Sequence, residues 1–318
     1  MQYRKIEKAN IELSVIGLGG HEYLPNGSSR GFNEDRQNAI KPGYTGQGYG
    51  GEKRRELLKM AYENGINFFD VTIDPEKEAL GRNLHEVPPP HDIYIQTRPE
   101  GMGYGYDPEN KKMANYDLLK TEVQRILTLM QRDRIDFFNF PFLQSALDAD
   151  PEYLDKIRHN ITELKREGLI RFATADNFSG EQTYLSQINA ECFDTLAMNF
   201  SFADNTACQT VLPIAQSQDM GIITREVFQK GRLFQMGEEA DIADRSLLAR
   251  IALKWNLSNL QVTTALVGAD HTDHLQNTLA ILDHIELTDE ENEILEKLRN
   301  SPTYQSYSTE RKNRFLGE

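Results

Sequence analysis

Short apolar runs along this chain end in polar side chains able to do chemistry. They are His21 and Glu22; Asp70, Thr72 and Asp74; Arg98 and Glu100; Asn139 and Gln144; Asp176 and Asn177; Asn199 and Ser201; Arg225 and Glu226; Asp270 and His271. Carboxylates and amides bind hydroxyls, and a guanidinium grips an anionic group in a fixed fork. The set therefore suits a small polar ligand: a polyol, a sugar or a carboxylate. His21 titrates near neutrality and can act as acid or base; otherwise it is a loop histidine without a role. Asp70 and Arg98 either reach the reacting group or form a buried ion pair. No i,i+4 or closely spaced ligand pair joins His21, Glu22, Asp70 and Asp74, so no metal centre is expected. His271 and His274 read as a solvated helix start. Cys192 and Cys208 read as small, largely buried side chains without a disulfide framework.

The elements that position these groups alternate. Strand candidates are Val15–Leu18, Asn67–Val71, Ile93–Thr97, Ile135–Asn139, Ile170–Thr174, Thr195–Asn199, Gly221–Arg225 and Thr263–Val267. Helix candidates between and after them are Lys53–Asn64, Glu76–Leu84, Tyr116–Met130, Glu152–Arg166, Gly180–Gln187, Thr206–Ser217, Ser246–Asn256 and Asp273–Leu282. In Tyr116–Met130 the apolar Leu119, Val123, Ile126, Leu127 and Met130 fall at helical spacing. Asn115 and Ser179 are candidate N-caps, and Gly65 and Gly168 candidate helix ends in the left-handed conformation. Eight strands alternating with eight helices predict an α/β fold, a (β/α)₈ TIM barrel; a doubly wound open sheet shares the alternation and is the runner-up. A hairpin of Tyr3–Ile6 and Ile11–Val15 precedes the first barrel strand. A helix over Thr288–Arg299, its acidic start Asp289–Glu293 favoured by the helix dipole, follows the last unit, and Ser301–Glu318 reads as a polar tail.

No linker divides the 318 residues, so residues 1–318 are expected to form a single domain. Residues 24–51 and 99–112, rich in glycine and tyrosine, fall between a strand and its helix, where a barrel places its ligand-facing loops. Hydrophobic residues make up 39% and charged residues 26%, enough for a large core. The net charge of −14 argues against nucleic acid or an anionic membrane as partner. Met1–Ala9 has no apolar signal segment and no run is long enough to span a bilayer, so the cytoplasm is expected. Oligomeric state is not legible.

Several motifs, in order, resemble the aldo/keto reductase superfamily. They are Ile16-Gly17-Leu18-Gly19, Gly65-Ile66-Asn67-Phe68-Phe69-Asp70, Ala79-Leu80-Gly81-Arg82-Asn83-Leu84, Asp133-Arg134-Ile135-Asp136, Leu164 to Arg171, Asp176-Asn177-Phe178-Ser179, Gly221 to Arg225 with Gly231 and Leu233, and Leu266-Val267-Gly268-Ala269 with Leu275. Each is weak alone; together they run from about Tyr3 to Leu298. The resemblance implies the barrel with its N-terminal hairpin, and hydride transfer between NADP(H) and a carbonyl or alcohol by an Asp, Tyr, Lys and His tetrad.

Of that tetrad the resemblance places only Asp70. The turn Val71-Thr72-Ile73-Asp74-Pro75 is short and holds no Tyr; the Lys position reads Arg98 and the His position Pro141. Proline offers no side-chain donor, and arginine stays protonated, so neither can replace a tunable proton relay. General acid catalysis is worth roughly 10²–10⁴-fold, which this site would forgo. Of the residues expected to hold the nicotinamide, Asn177 is retained; its partner reads Asp176, the Gln position Ala197, the stacking aromatic Arg225, and the 2′-phosphate arginine Asp270. Tyr44, Tyr49, Tyr104 and Tyr106, on the two long loops, are candidates for a replacement proton donor. Three functions follow: a barrel repurposed for lyase, isomerase or hydrolase chemistry on a small polar substrate, with Asp70, Arg98 and His21 catalytic; an NADP-dependent oxidoreductase with a non-standard donor; and a non-catalytic binding or regulatory protein.

Overall fold

A computed structural model describes residues 1–23, 29–31, 41–44, 46, 48–103, 106–107 and 111–317. Strands β1 (Tyr3–Ile6) and β2 (Ile11–Ser14) form an antiparallel hairpin. Eight parallel strands then close a barrel: β3 (Ile16–Gly19), β4 (Phe68–Asp70), β5 (Tyr94–Thr97), β6 (Ile135–Pro141), β7 (Ile170–Asp176), β8 (Thr195–Asn199), β9 (Gly221–Arg225) and β10 (Thr264–Val267), with β10 pairing back onto β3. This is the predicted TIM barrel; closure, which an open sheet lacks, excludes the runner-up. Helices α1 (Glu52–Glu63), α2 (Asp74–Glu86), α3 (Lys111–Ala114), α4 (Tyr116–Met130), α5 (Gln144–Ala149), α6 (Tyr153–Arg166), α7 (Glu181–Asn189), α8 (Val211–Ser217), α9 (Arg232–Glu239), α10 (Arg245–Ser258), α11 (Thr272–Leu279), α12 (Asp289–Arg299) and α13 (Pro302–Leu316) complete the described elements, with 3₁₀ turns among them.

The inner face is layered. At the floor, Phe68, Phe137, Phe172, Ala197 and Ile223 meet Ile6, Ile11 and Leu13 of the hairpin, which plugs the amino-terminal end. Ser14 and Asn67 fix the plug: the Ser14 amide donates to Asn67 Oδ1 and the Asn67 amide to Ser14 Oγ. Residues opposite one another in the ladder share a face. Register therefore puts Asp70 beside Gln96, Asn139 beside Thr174, Pro141 beside Asp176 and Asn199 beside Arg225, above the apolar floor. Polar side chains thus occupy the carboxyl-terminal half of the barrel interior.

Local chemistry explains most boundaries. Asn115 caps α4 by accepting from the Leu118 amide, and the predicted apolar face of α4 is buried. Thr288 and Glu291 form a capping box at α12. Gly65 and Gly168 adopt positive φ after their helices. Ser179 is not an N-cap: its hydroxyl accepts from the Gln144 amide, and α7 starts after Gly180. The segment read as one helix over Thr206–Ser217 breaks at Thr210 into a 3₁₀ turn and α8, and Asp273–Leu282 becomes α11 followed by a 3₁₀ turn over Ala280–Asp283. The expected polar tail is instead helix α13, capped by Ser301 and buried through Tyr307. Its polar residues point outward, and its mixed pattern hid the periodicity.

Gly81 in α2 packs directly on the last turn of α4. A Cβ there would lie 2.7 Å from the Met130 backbone. Alanine within a helix gains about 1 kcal/mol over glycine, but overpacking against rigid backbone costs about 1–3 kcal/mol. Gly81→Ala should therefore lower the urea midpoint; an unchanged or raised midpoint would show that α2 can move aside.

Candidate active site at the barrel mouth

Parallel closure gathers the sequence-predicted side chains onto one rim, but they divide into distinct groups. The first is built on His21, directly after β3. Its Nδ1 lies 2.7 Å from Glu76 Oε1. Glu76 stands in the first turn of α2, where backbone N–H groups lack helical partners and favour an anion. Its other oxygen accepts from the amides of Thr72 (2.9 Å) and Ile73 (3.4 Å). The carboxylate is almost wholly buried, whereas a third of the imidazole remains exposed. Burial alone would lower the His21 pKa, but the charge and hydrogen bond of Glu76, with the charge of Asp70, raise it. Burial pushes Glu76 up, yet His21 and the two backbone donors hold it below its ordinary value.

Asp70 ends β4 beside this pair. It accepts from Gln96 Nε2 at 2.8 Å and, at 3.5 Å, from the Thr72 hydroxyl. Burial raises its pKa; the Gln96 hydrogen bond and the charges of His21 and Arg98 pull against that rise. Arg98 thus acts on Asp70 through its charge. Asn139 lies next in the same layer, and its Oδ1 is buried without a hydrogen-bond partner among the described residues, as is Gln96 Oε1.

Asp74 and Glu100, expected among the ligand-binding residues, are committed to protein partners behind the rim. The fully buried Lys77 Nζ lies 3.0 Å from Asp74 and 3.3 Å from Glu100. Arg125 bridges Asp74 (2.5 Å) and Glu122 (2.7 Å), and the Gly43 amide donates to Asp74. Lys77 and the other partners hold the Asp74 carboxyl below its usual value despite burial. Glu22 is likewise committed to the first mouth loop, accepting from the Gly50 amide (2.6 Å) and from Arg30 (2.9 Å). Glu226, at φ +58°, pairs with Lys230.

The third group closes on itself. Arg225 donates to both oxygens of the buried Asp176 (2.8 and 2.6 Å) and through Nε to Asn199 (2.9 Å), while its guanidinium lies 4.6 Å from the Phe178 ring centre. Asn177 is buried: its amide donates to Gln187 and its oxygen accepts from the amides of Ser179 and Gly180. Of the loop tyrosines, Tyr49 and Tyr44 pack with Ile73 and Ala79 against α2, and Arg30 covers Tyr49 at 4.2 Å. Tyr106 sits in a turn closed by its amide on the Gly103 carbonyl; Tyr104 lies outside the described residues. Tyr23, not among the candidates, places its hydroxyl against Gly268, and burial pushes its pKa up to about 12. Among the described residues no group of three His, Cys, Asp or Glu side chains is arranged to hold a metal ion, and no helix is long and apolar enough to cross a membrane.

Glu76, Gln96, Lys77 and Arg125 escaped the reading from sequence. The available signal for Glu76 was Asp74-Pro75-Glu76, an acidic, proline-marked helix start. The pair sets a pH dependence. The folded pKa of His21 lies above its ordinary 6.5, so its contribution to stability is complete below about 6.5 and is lost as pH rises through the raised value. That of Glu76 lies below its ordinary 4.5, so its contribution is present above about 4.5 and lost as pH falls through the lowered value. Glu76→Gln should therefore destabilise most between about pH 4.5 and 6.5, with a smaller difference at higher pH. In the same variant burial dominates, and a histidine NMR titration should find His21 below its ordinary pKa; an unmoved value would refute the coupling.

Residues 42–247 match the Aldo/keto reductase family. No curated protein matches the chain. Among solved structures, it is similar to the holo form of an aldo-keto reductase from Bacillus halodurans at 20% identity and TM-score 0.68, covering 94% of this chain and 96% of that one. It is also similar to the glycerol dehydrogenase of Gluconobacter oxydans at 19% identity and TM-score 0.66, covering 93% and 94%. The barrel, its hairpin and the family match over more than half the residues agree: the chain belongs to the aldo/keto reductase family.

Proposed function

We propose that the barrel mouth performs acid–base chemistry on a small polar, sugar-like or carboxylate substrate, of the lyase, isomerase or hydrolase kind, without hydride transfer from a nicotinamide. The observation that carries this reading is the His21–Glu76 pair beside Asp70. A histidine oriented by a buried carboxylate, with a third of its side chain exposed, is a competent proton donor and acceptor. Its raised pKa keeps a proton available near neutrality, and Asp70, its own pKa raised, is a second group able to take one. Arg98 supplies a fixed positive charge for an anionic substrate group. Glu76 orients the imidazole and stabilises its protonated form.

The positions that the family resemblance assigns to the nicotinamide do not fit that group. Asp176 is held by Arg225, and the Asn177 amide is consumed by Gln187 and two backbone donors. A dinucleotide would have to break these bonds and approach the Asp270 carboxylate, which repels a phosphate. The rival reading, an NADP-dependent oxidoreductase, draws on the family and on the similar structures, one of them a glycerol dehydrogenase.

Titration with NADPH and NADP⁺, followed by nicotinamide fluorescence, separates the two. We expect no binding tighter than about 10 μM, an ordinary cofactor affinity; tighter binding sinks the non-redox reading. On a panel of sugars, polyols and hydroxy acids followed by NMR without cofactor, His21→Asn should lower turnover by about 10²–10⁴-fold. Glu76→Gln should shift the pH profile as well as lower the rate, and turnover unaffected by His21→Asn would remove the histidine from the mechanism.

A further inference from the structure

Gln96 stands where packing does not call for an amide. It lies on the inner face of β5, opposite Asp70 in the ladder, and is only 2% exposed. One level down the inner face is apolar, with Phe68 below Asp70, Tyr94 below Gln96 and Phe137 on β6. Gln96 Nε2 donates to Asp70 Oδ1 at 2.8 Å, whereas Gln96 Oε1 is buried without a partner among the described residues. An ionised carboxylate only accepts, so this bond fixes which end of the amide faces Asp70. A buried oxygen left unpaired costs stability, and an apolar side chain of the same length would avoid that cost. The amide is therefore explained by what it does to Asp70 rather than by the core.

Other groups also act on Asp70. The Thr72 hydroxyl lies 3.5 Å away, and the charges of His21 after β3, Arg98 after β5 and Glu76 on α2 reach it. Burial pushes the Asp70 carboxyl up. The Gln96 hydrogen bond opposes this first, then the charges of His21 and Arg98, while Glu76 adds to the rise. A hydrogen bond to the charged form favours that form. The support of His21 ends when the imidazole gives up its proton; that of Gln96, being uncharged, does not.

We infer that Gln96 is a positioning residue that keeps Asp70 as the base working opposite His21. The inference rests on the acid–base reading of the mouth and gives it a direction. The Asp70 carboxylate takes a proton from the substrate while protonated His21 gives one to a substrate oxygen. One proton is taken and one given, so the pair ends the step with its protonation states exchanged and no further reactant is consumed.

Gln96→Met keeps the length of the side chain and removes the donor; Gln96→Leu takes its place if the methionine variant does not fold. Carbon-13 NMR of the Asp70 carboxyl, assigned against Asp70→Asn, should find it titrating at higher pH in the variant. Thr97→Val, the next position and on the opposite face of the strand, should leave that titration where it was. On the panel of sugars, polyols and hydroxy acids, kcat of the variant should fall about ten- to a hundredfold. The loss should be greatest at acidic pH, because the acid limb of the profile follows the base. An Asp70 titration unmoved by loss of the amide overturns the inference. So does a moved titration with an unmoved acid limb, since Asp70 is then not the base. No turnover by the unaltered protein removes the base together with the acid–base reading, and the carboxyl titration tells that failure from a failure of Gln96 to hold Asp70.

Discussion

The pairing of β10 with β3 is the constraint on which everything else rests. Ala265, Leu266 and Val267 lie against Ile16, Gly17 and Leu18, so a sheet that would otherwise have two open edges becomes a closed ring. Closure gives every strand an inner face of period two and directs all their carboxyl ends to one rim. The aromatic floor and the hairpin plug seal the other end, leaving the rim as the place where the polar strand ends gather. Residues distant in sequence, His21 and Asp70 among them, become neighbours only through this geometry.

The rim spends its charges unevenly. Around β7 to β9 the strongest donors and acceptors satisfy one another, as Arg225 does with Asp176 and Asn199. Around β3 to β5 the balance is incomplete. His21 is partly exposed, Asp70 is held by an amide and a weak hydroxyl contact, and the nearby oxygens of Gln96 and Asn139 have no partner among the described residues. Buried polar atoms are normally paired, and Ser201 Oγ, both polar atoms of the Gln229 side chain and Thr264 Oγ1 are likewise without a partner among the described residues, so the shortfall is not confined to one side.

Much of the fold was legible because strands such as Ile135–Pro141, buried along their whole length, announce themselves as apolar runs. Helices with one apolar face, such as α4, were equally clear. Helix α13 was not, because most of its surface is wet and its docking depends on a few residues such as Tyr307. The site was legible as a set of strand ends and illegible as a set of pairings. Nothing in the spacing of Asp74 and Glu100 told that Lys77 would take both, and nothing in His21 told that Glu76, reached across a turn, would be its partner. Side-chain partnership is decided by three-dimensional proximity, to which local periodicity is blind.

The network behind the rim also bears on how this sequence can drift. Asp74, Glu100 and Glu122 share Lys77 and Arg125, three acids against two bases, with Lys77 and Asp74 out of contact with water. Removing one member strands a buried charge at a cost of about 3–5 kcal/mol, whereas replacing a whole group by apolar side chains can be neutral. Such residues are poor candidates for stepwise change and good ones for joint replacement. Descendants of this chain should therefore keep the five together or lose them together, so that the history of one position is written in the other four.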